Sequence, residues 1–202
     1  MKATDFDLSK DLKLDPSTGI ATFRASRLVV LDAGALGLLR QDLVEALGLE
    51  RARRLFLRFG YQHGYSDFMQ MKLAFEFDSE MDLLASGPVI HSWEGIVQAT
   101  PKEIRFDRAK KDFYFTGVWS NSYEAEQYLT FNHPATEPVC WSLMGYASGW
   151  CTAFFGSPLV AVEPVCTGKG DDHCEWLIQP PEAWDDTAAV YIEALSDLLG
   201  GK

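Results

Sequence analysis

No stretch of this chain is apolar over the about eighteen residues that a membrane-spanning helix needs. The first ten residues, Met1 to Lys10, are polar and lack the apolar core of a secretory signal. Both absences point to the cytoplasm, where the four cysteines stay reduced and a metal site is favoured over disulfides. Basic residues are also few. Eighteen Lys and Arg against 29 Asp and Glu leave a net charge of −11, which argues against direct binding to nucleic acid or to an anionic membrane surface. Familiar catalytic motifs are missing too: there is no G-x-S-x-G elbow, no Walker A loop, no H-E-x-x-H and no C-x-x-C. Gly168-Lys169-Gly170 reads as a turn, not a phosphate cradle. An enzyme reading therefore has no constellation to stand on.

What is present is the composition of a folded domain. The 202 residues carry 6 Trp, 7 Tyr and 13 Phe, too many aromatics for a disordered segment, and the length supports a real core. Leu12–Leu14 and Ile20–Phe23 read as strands around the turn Asp15–Gly19, and Arg27–Leu31 as a short β-prone run. A helix over 35–47 stops at Gly48. A longer one follows over about 50–75, with Ala52, Leu55, Phe56 and Phe59 on one face. A helix from Met81 is expected to end at Ser86-Gly87-Pro88. Strands over 96–106 and 112–120 pair, and Phe113, Phe115, Gly117 and Trp119 share one face. A helix over 123–131 is followed by one capped at Thr136, with Pro138 in its first turn, running to Phe155. Its Gly145, Ala147, Ser148 and Gly149 allow another element to approach closely. Strands over 159–165 and 175–178 and a helix over 188–199 complete an α+β fold, an antiparallel sheet with packed helices.

Glu163 is the anomaly in this pattern, a carboxylate inside a nearly all-apolar strand. Burying it unpaired costs several kcal/mol, roughly what a buried polar group loses without partners. Cys166 lies three residues on, and the polar loop Thr167–Asp172 returns the chain to Cys174. Glu163, Cys166 and Cys174 can thus converge, with Cys140 closing a tetrahedron suited to a structural Zn²⁺. The competing account is buried cysteine used as a small hydrophobe. His173 is a rival fourth ligand, ranked below Glu163 because it adjoins Cys174 and neighbouring side chains diverge. Cys151 reads as core.

A second constellation is apolar. His91 and Trp119, with Phe113 and Phe115 on the strand face of Trp119, can line a pocket for a small aromatic molecule bearing one hydroxyl. Leu84, Ile90 and Tyr146 are further candidates for its lining, from pattern alone.

Glu137 to Gly149, Glu163 to Cys166, Gly170 to Cys174, Gly48 to Gln62 and Ala85 to Pro88 together resemble the sensory domain of phenol-responsive, sigma-54-dependent activators of aromatic catabolism. The resemblance runs from about residue 20 to 185. It implies a vinyl-reductase-type zinc-containing sensor with an N-terminal dimerisation segment. The division it suggests is 1–47 for that segment, 48–185 for the sensor and 186–202 for a helix leading to the interdomain linker. It implies zinc on Cys140, Glu163, Cys166 and Cys174, and phenol on His91 and Trp119. Relatives tuned to xylene or toluene lack the histidine, so His91 favours a phenol or substituted phenol. It also implies a homodimer and an AAA+ ATPase domain of the full-length protein, released from repression by the effector, with DNA contact left to domains absent from this chain. The expected role is transcriptional activation, not catalysis. A small-aromatic enzyme with His91 as general base and a purely structural zinc module are the alternatives.

Overall fold

The structure is a computed structural model and describes residues 1–200; Gly201 and Lys202, the end of the expected linker-leading helix, lie outside the described residues. A small antiparallel sheet opens the chain: β1 (Leu12–Asp15), β2 (Ile20–Phe23) and β3 (Ser26–Leu28), in that spatial order, after a one-turn helix α1 (Leu8–Asp11). The expected strand over 27–31 is thus cut short. Val29, Val30 and Leu31 lie beyond it and are exposed. Asp32 caps α2 (Ala33–Leu47), accepting from the Ala35 N–H, and Gly48 at φ +82° breaks the chain into α3 (Leu49–Ala74).

On α3 the buried residues include Ala52, Arg53, Phe56, Leu57, Gly60, Tyr61, Gly64, Phe68 and Met71. Leu55 and Phe59 face out, so the stripe expected from Ala52, Leu55, Phe56 and Phe59 is rotated. The cause is a glycine seam. α6 (Trp141–Phe155) crosses α3 so tightly that a Cβ on Gly60 or Gly64 would lie 2.0 or 2.1 Å from the carbonyl oxygen of Ser142 or Tyr146. A Cβ on Gly145 or Gly149 would lie 2.1 or 2.0 Å from that of Leu57 or Tyr61. Only hydrogen fits on either side. The expectation of a close approach at Gly145 and Gly149 is realised, with glycines four apart on both helices.

The main sheet is antiparallel, in the order β4 (Gln98–Asp107), β5 (Asp112–Ser120), β7 (Cys174–Gln179), β6 (Val160–Val165). Phe113, Phe115 and Trp119 alternate inward along β5 and are buried, as a period of two requires. α4 (Glu80–Trp93) and α6 border the space over this inner face, and α5 (Tyr123–Phe131) follows β5. α7 (Ala189–Leu199) ends the described chain.

Two boundaries differ from expectation. α4 does not stop at Ser86-Gly87-Pro88 but runs through Pro88 to Trp93. Proline removes the N–H that would bond the Leu84 carbonyl, and the Trp150 indole N–H donates to that carbonyl instead, at 3.2 Å. α6 begins at Trp141, not near Pro138, with Cys140 at its N-cap. The buried Glu124 carboxylate accepts from the Ser142 and Leu143 N–H groups at 2.8 and 3.2 Å, so it satisfies the helix start in place of Thr136. Arg40 pairs with Glu124 at 3.5 Å, donates to the Val139 carbonyl at 2.5 Å and lies over the Trp141 ring.

Candidate functional site

The cysteine cluster is built where α6 begins. Cys140 caps the helix, Glu163 lies near the end of β6, Cys166 follows β6 and Cys174 opens β7. The β6–β7 register shifts between Val162 and Val165. This bulge, at a proline with no N–H to offer, accompanies the burial of Glu163 to 0% exposure. The Cys166 N–H donates to the Asp171 carboxylate at 2.8 Å, and Gly170 closes the loop at φ +98°. Gly168 packs against Val139, where a Cβ would lie 2.2 Å from Val139 Cγ2, and its carbonyl accepts from the Ala135 N–H. The loop is therefore pressed against the segment leading into Cys140.

The donor atoms of Cys140, Glu163, Cys166 and Cys174 all lie within 4.8 Å of one another, and all four residues are buried. His173, the rival ligand, is outside this group and faces Glu175 at 3.0 Å. Burial raises the Cys140 thiol well above its usual range, and burial together with Cys166 does the same to the Glu163 carboxyl. Cys166, accepting hydrogen bonds from Cys140 and Cys174, is lowered to about 2. Left to protons alone, the cluster holds one thiolate among neutral neighbours, and Glu163 Oε1 is buried with no partner. That is the chemistry of a set waiting for a cation to take several negative ligands at once. The Cys/Glu cluster can coordinate a metal ion.

Further along α6 lies an apolar cavity of about 30 Å³. Its walls are α4 through Gly87, Pro88 and His91, the sheet through Phe115, Trp119 and Trp176, and α6 through Tyr146, Trp150 and Cys151. His91, Trp119, Phe115 and Tyr146 thus meet around one space. Leu84, Ile90 and Phe113 do not line it. They are core: Leu84 gives its carbonyl to Trp150, and Phe113 packs on Phe106 and Phe155. Cys151, expected as core only, is buried and lines the cavity as well. Burial raises its thiol, so it offers no thiolate.

The polar edge of the cavity is held from behind. The His91 ring stacks on Tyr146 with centroids 4.0 Å apart and planes at 8°. The Tyr146 hydroxyl donates to Asp67 at 3.1 Å. His63 lies 3.2 Å from Asp67 and 3.7 Å from Glu94. Burial, then repulsion from Glu94, lifts Asp67 to about 7. Burial, then the nearby His63, pushes His91 down to about 3, so its imidazole is neutral and can accept a proton from a hydroxyl. Asp67, His63 and Glu94 carried no signal in the sequence beyond the i, i+4 spacing of the first two. Arg40 and Glu124 were missed likewise.

Two family models match the chain: one described as an activator of aromatic catabolism, over residues 7–107, and the vinyl-reductase-type domain, over residues 119–180. Fold and site together define a sensory module of the vinyl-reductase type. The crystal structure of the phenol-responsive sensory domain of the transcription activator PoxR with phenol matches at a TM-score of 0.85 and 33% identity, covering 94% of each chain. The phenol regulator MopR of Acinetobacter guillouiae is 33% identical over 180 residues, 89% of this chain and 32% of its own length. The transcriptional regulatory protein XylR of Pseudomonas putida is 30% identical over 193 residues, 95% of this chain and 34% of its own. This chain belongs to the same family, the activators of aromatic catabolism, and corresponds to the effector-sensing domain of such a regulator. It spans about a third of the length of these curated relatives. The matches are to regulators and a sensory domain, not to an enzyme. No helix among the described residues is long and apolar enough to cross a membrane.

Proposed function

We propose that this chain binds phenol or a substituted phenol and uses that binding to relieve repression of an AAA+ ATPase domain in a longer, sigma-54-dependent activator of aromatic-degradation genes. The observation that carries the reading is His91: a buried, neutral imidazole stacked on Tyr146 at the edge of an otherwise apolar cavity that Trp119 also lines. Its nitrogen accepts from the phenolic O–H, and the Trp119 indole N–H donates to the phenolic oxygen. Tyr146 and Phe115 enclose the ring. An engineered apolar cavity that takes up benzene is on the order of 150 Å³, larger than the 30 Å³ here. Binding therefore requires the α4 wall or the sheet wall to move, and that movement is the event a partner domain can sense.

Zinc is the ion we assign to Cys140, Glu163, Cys166 and Cys174. Three thiolates and a carboxylate suit it, and four protein ligands leave no open position. Bound there, it ties the start of α6 to β6 and β7. The division into 1–47, 48–185 and 186–202 is kept as the working arrangement. The exposed Val29, Val30, Leu31, Leu38 and Leu39 support the first segment as the contact surface of a homodimer. The acidic charge fits a cytoplasmic sensor that leaves DNA contact to other domains.

Calorimetric titration of the metal-loaded chain with phenol and with toluene tests the reading. One phenol per protomer is expected, with toluene at least about tenfold weaker because His91 and Trp119 then go unpaired. A folded, metal-loaded sample that binds neither refutes it.

A further inference from the structure

Five polar side chains border the cavity, and they are not equivalent. Trp150 donates its indole N–H to the Leu84 carbonyl, and Tyr146 donates its hydroxyl to Asp67. Both are occupied within the protein. His91 and Trp119 are the pair assigned above to the phenolic hydroxyl. Trp176 remains. It is buried on β7, it lines the same cavity, and its Nε1 has no hydrogen-bond partner.

The sheet explains how this donor stays uncovered. Trp176 pairs across the ladder with Gly117. A Cβ on Gly117 would lie 2.3 Å from Trp176 Cζ2 and 2.6 Å from Cε2, the carbon that bears Nε1. The glycine lets the indole lie flat over the strand, and no side chain there covers its N–H edge. Phe115 meets the ring edge-on at 4.6 Å and Trp119 is tilted against it at 6.2 Å, so aromatic contacts fix its orientation without pairing the donor. A buried N–H without an acceptor is unfavourable and uncommon in native proteins. A phenolic oxygen already paired with His91 and Trp119 does not need a third partner.

We propose that Trp176 is a second reading group of this pocket, one that selects phenols carrying an additional ring substituent able to accept a hydrogen bond, such as methoxy, nitro or a second hydroxyl. The inference rests on the sensor reading given above. It makes plain phenol a ligand that leaves one buried donor unpaired.

The test compares methoxyphenol with ethylphenol at each of the 2-, 3- and 4-positions, by titration calorimetry on the metal-loaded chain and on Trp176→Phe. Methoxy and ethyl are close in size, and only methoxy has an acceptor. At one ring position the methoxy isomer is expected to bind about tenfold tighter than the ethyl isomer, which corresponds to about 1.4 kcal/mol. In Trp176→Phe the ratio falls to near one, while phenol binds both proteins alike. The proposal is overturned if ethyl matches methoxy at all three positions, or if the methoxy preference survives in Trp176→Phe. Should that variant not fold, indole N–H resonances of the unmodified protein decide. One of them must shift downfield with methoxyphenol and not with ethylphenol, and the absence of such a shift overturns the proposal. Phenol binding without a methoxy preference defeats this inference alone. Failure of every phenol to bind defeats the sensor reading and this inference with it.

Discussion

The cluster at Cys140 and the cavity at His91 lie along one helix and treat buried polarity in opposite ways. At the start of α6, four ligating groups crowd within 4.8 Å, and the loop from Cys166 to Cys174 packs against the helix start. Farther along, polar atoms are sparse, the walls are aromatic, and one indole N–H is left over. The first arrangement has room for an ion and nothing else. The second is closed in shape but incomplete in hydrogen bonding, as a site for an organic molecule must be before it fills. Rigidity and receptivity are thus separated along α6, and the helix links them.

The comparison is broken most forcefully at the cluster. Glu163→Ala is expected to cost the folded protein, because a structural zinc contributes its binding energy to folding. The sign is informative. If Glu163 were a bare buried carboxylate, its removal would be neutral or stabilising. Thermal melts with metal content measured on the same sample distinguish the two, and a Glu163→Ala protein that keeps both its melting temperature and its metal overturns the ligand assignment. His91→Ala sharpens the contrast from the other side. Phenol affinity should fall about ten- to hundredfold, the range for a lost buried hydrogen bond, with metal content and melting temperature nearly unchanged. A variant that binds phenol as before would move the hydroxyl away from His91.

The smallest effect is one of pH. Burial places His91 at about 3, so its imidazole stays neutral as the pH falls from 7.5 to 5.5. Phenol affinity should stay flat across that window. A histidine at its ordinary value of about 6.5 would retain roughly one part in eleven of the neutral form at pH 5.5, and affinity would drop about tenfold. Because the folded-state value is depressed, the stability carried by neutral His91 is present above about pH 6.5 and is lost as pH falls from there toward 3. Titrations at the two pH values check the first statement, and acid unfolding of the wild type against His91→Gln checks the second.

Much of this was legible in the residues. Glu163 stood out as an acid in an apolar strand, and Gly145 with Gly149 announced a close crossing. The alternation of Phe113, Phe115 and Trp119 gave the inward face of β5. Illegible features depended on partners far along the chain. Pro88 reads as a helix end until Trp150, 66 residues beyond Leu84, supplies the donor that proline lacks. Thr136 reads as a cap until Glu124 takes the start of α6. Leu55 and Phe59 fit a helical stripe, but the glycine seam turns α3 so that both face out. Trp176 drew no notice, since a single Trp in a six-residue strand is ordinary core and its unpaired N–H is a property of its surroundings.

Helices that touch backbone to backbone have no layer of side chains between them to absorb a change in shape. At the α3–α6 seam the carbonyls of Leu57, Tyr61, Ser142 and Tyr146 sit where a Cβ would otherwise be. Tyr146 and Trp150 line the cavity from this clamped helix, so one wall of the pocket cannot retreat to admit a bulkier ring. Divergence in effector range is therefore steered to the facing wall, through Pro88 and His91 on α4 and Phe115 and Trp176 on the sheet. The seam acts as an evolutionary anvil: it fixes one side of the mould while lineages reshape the other.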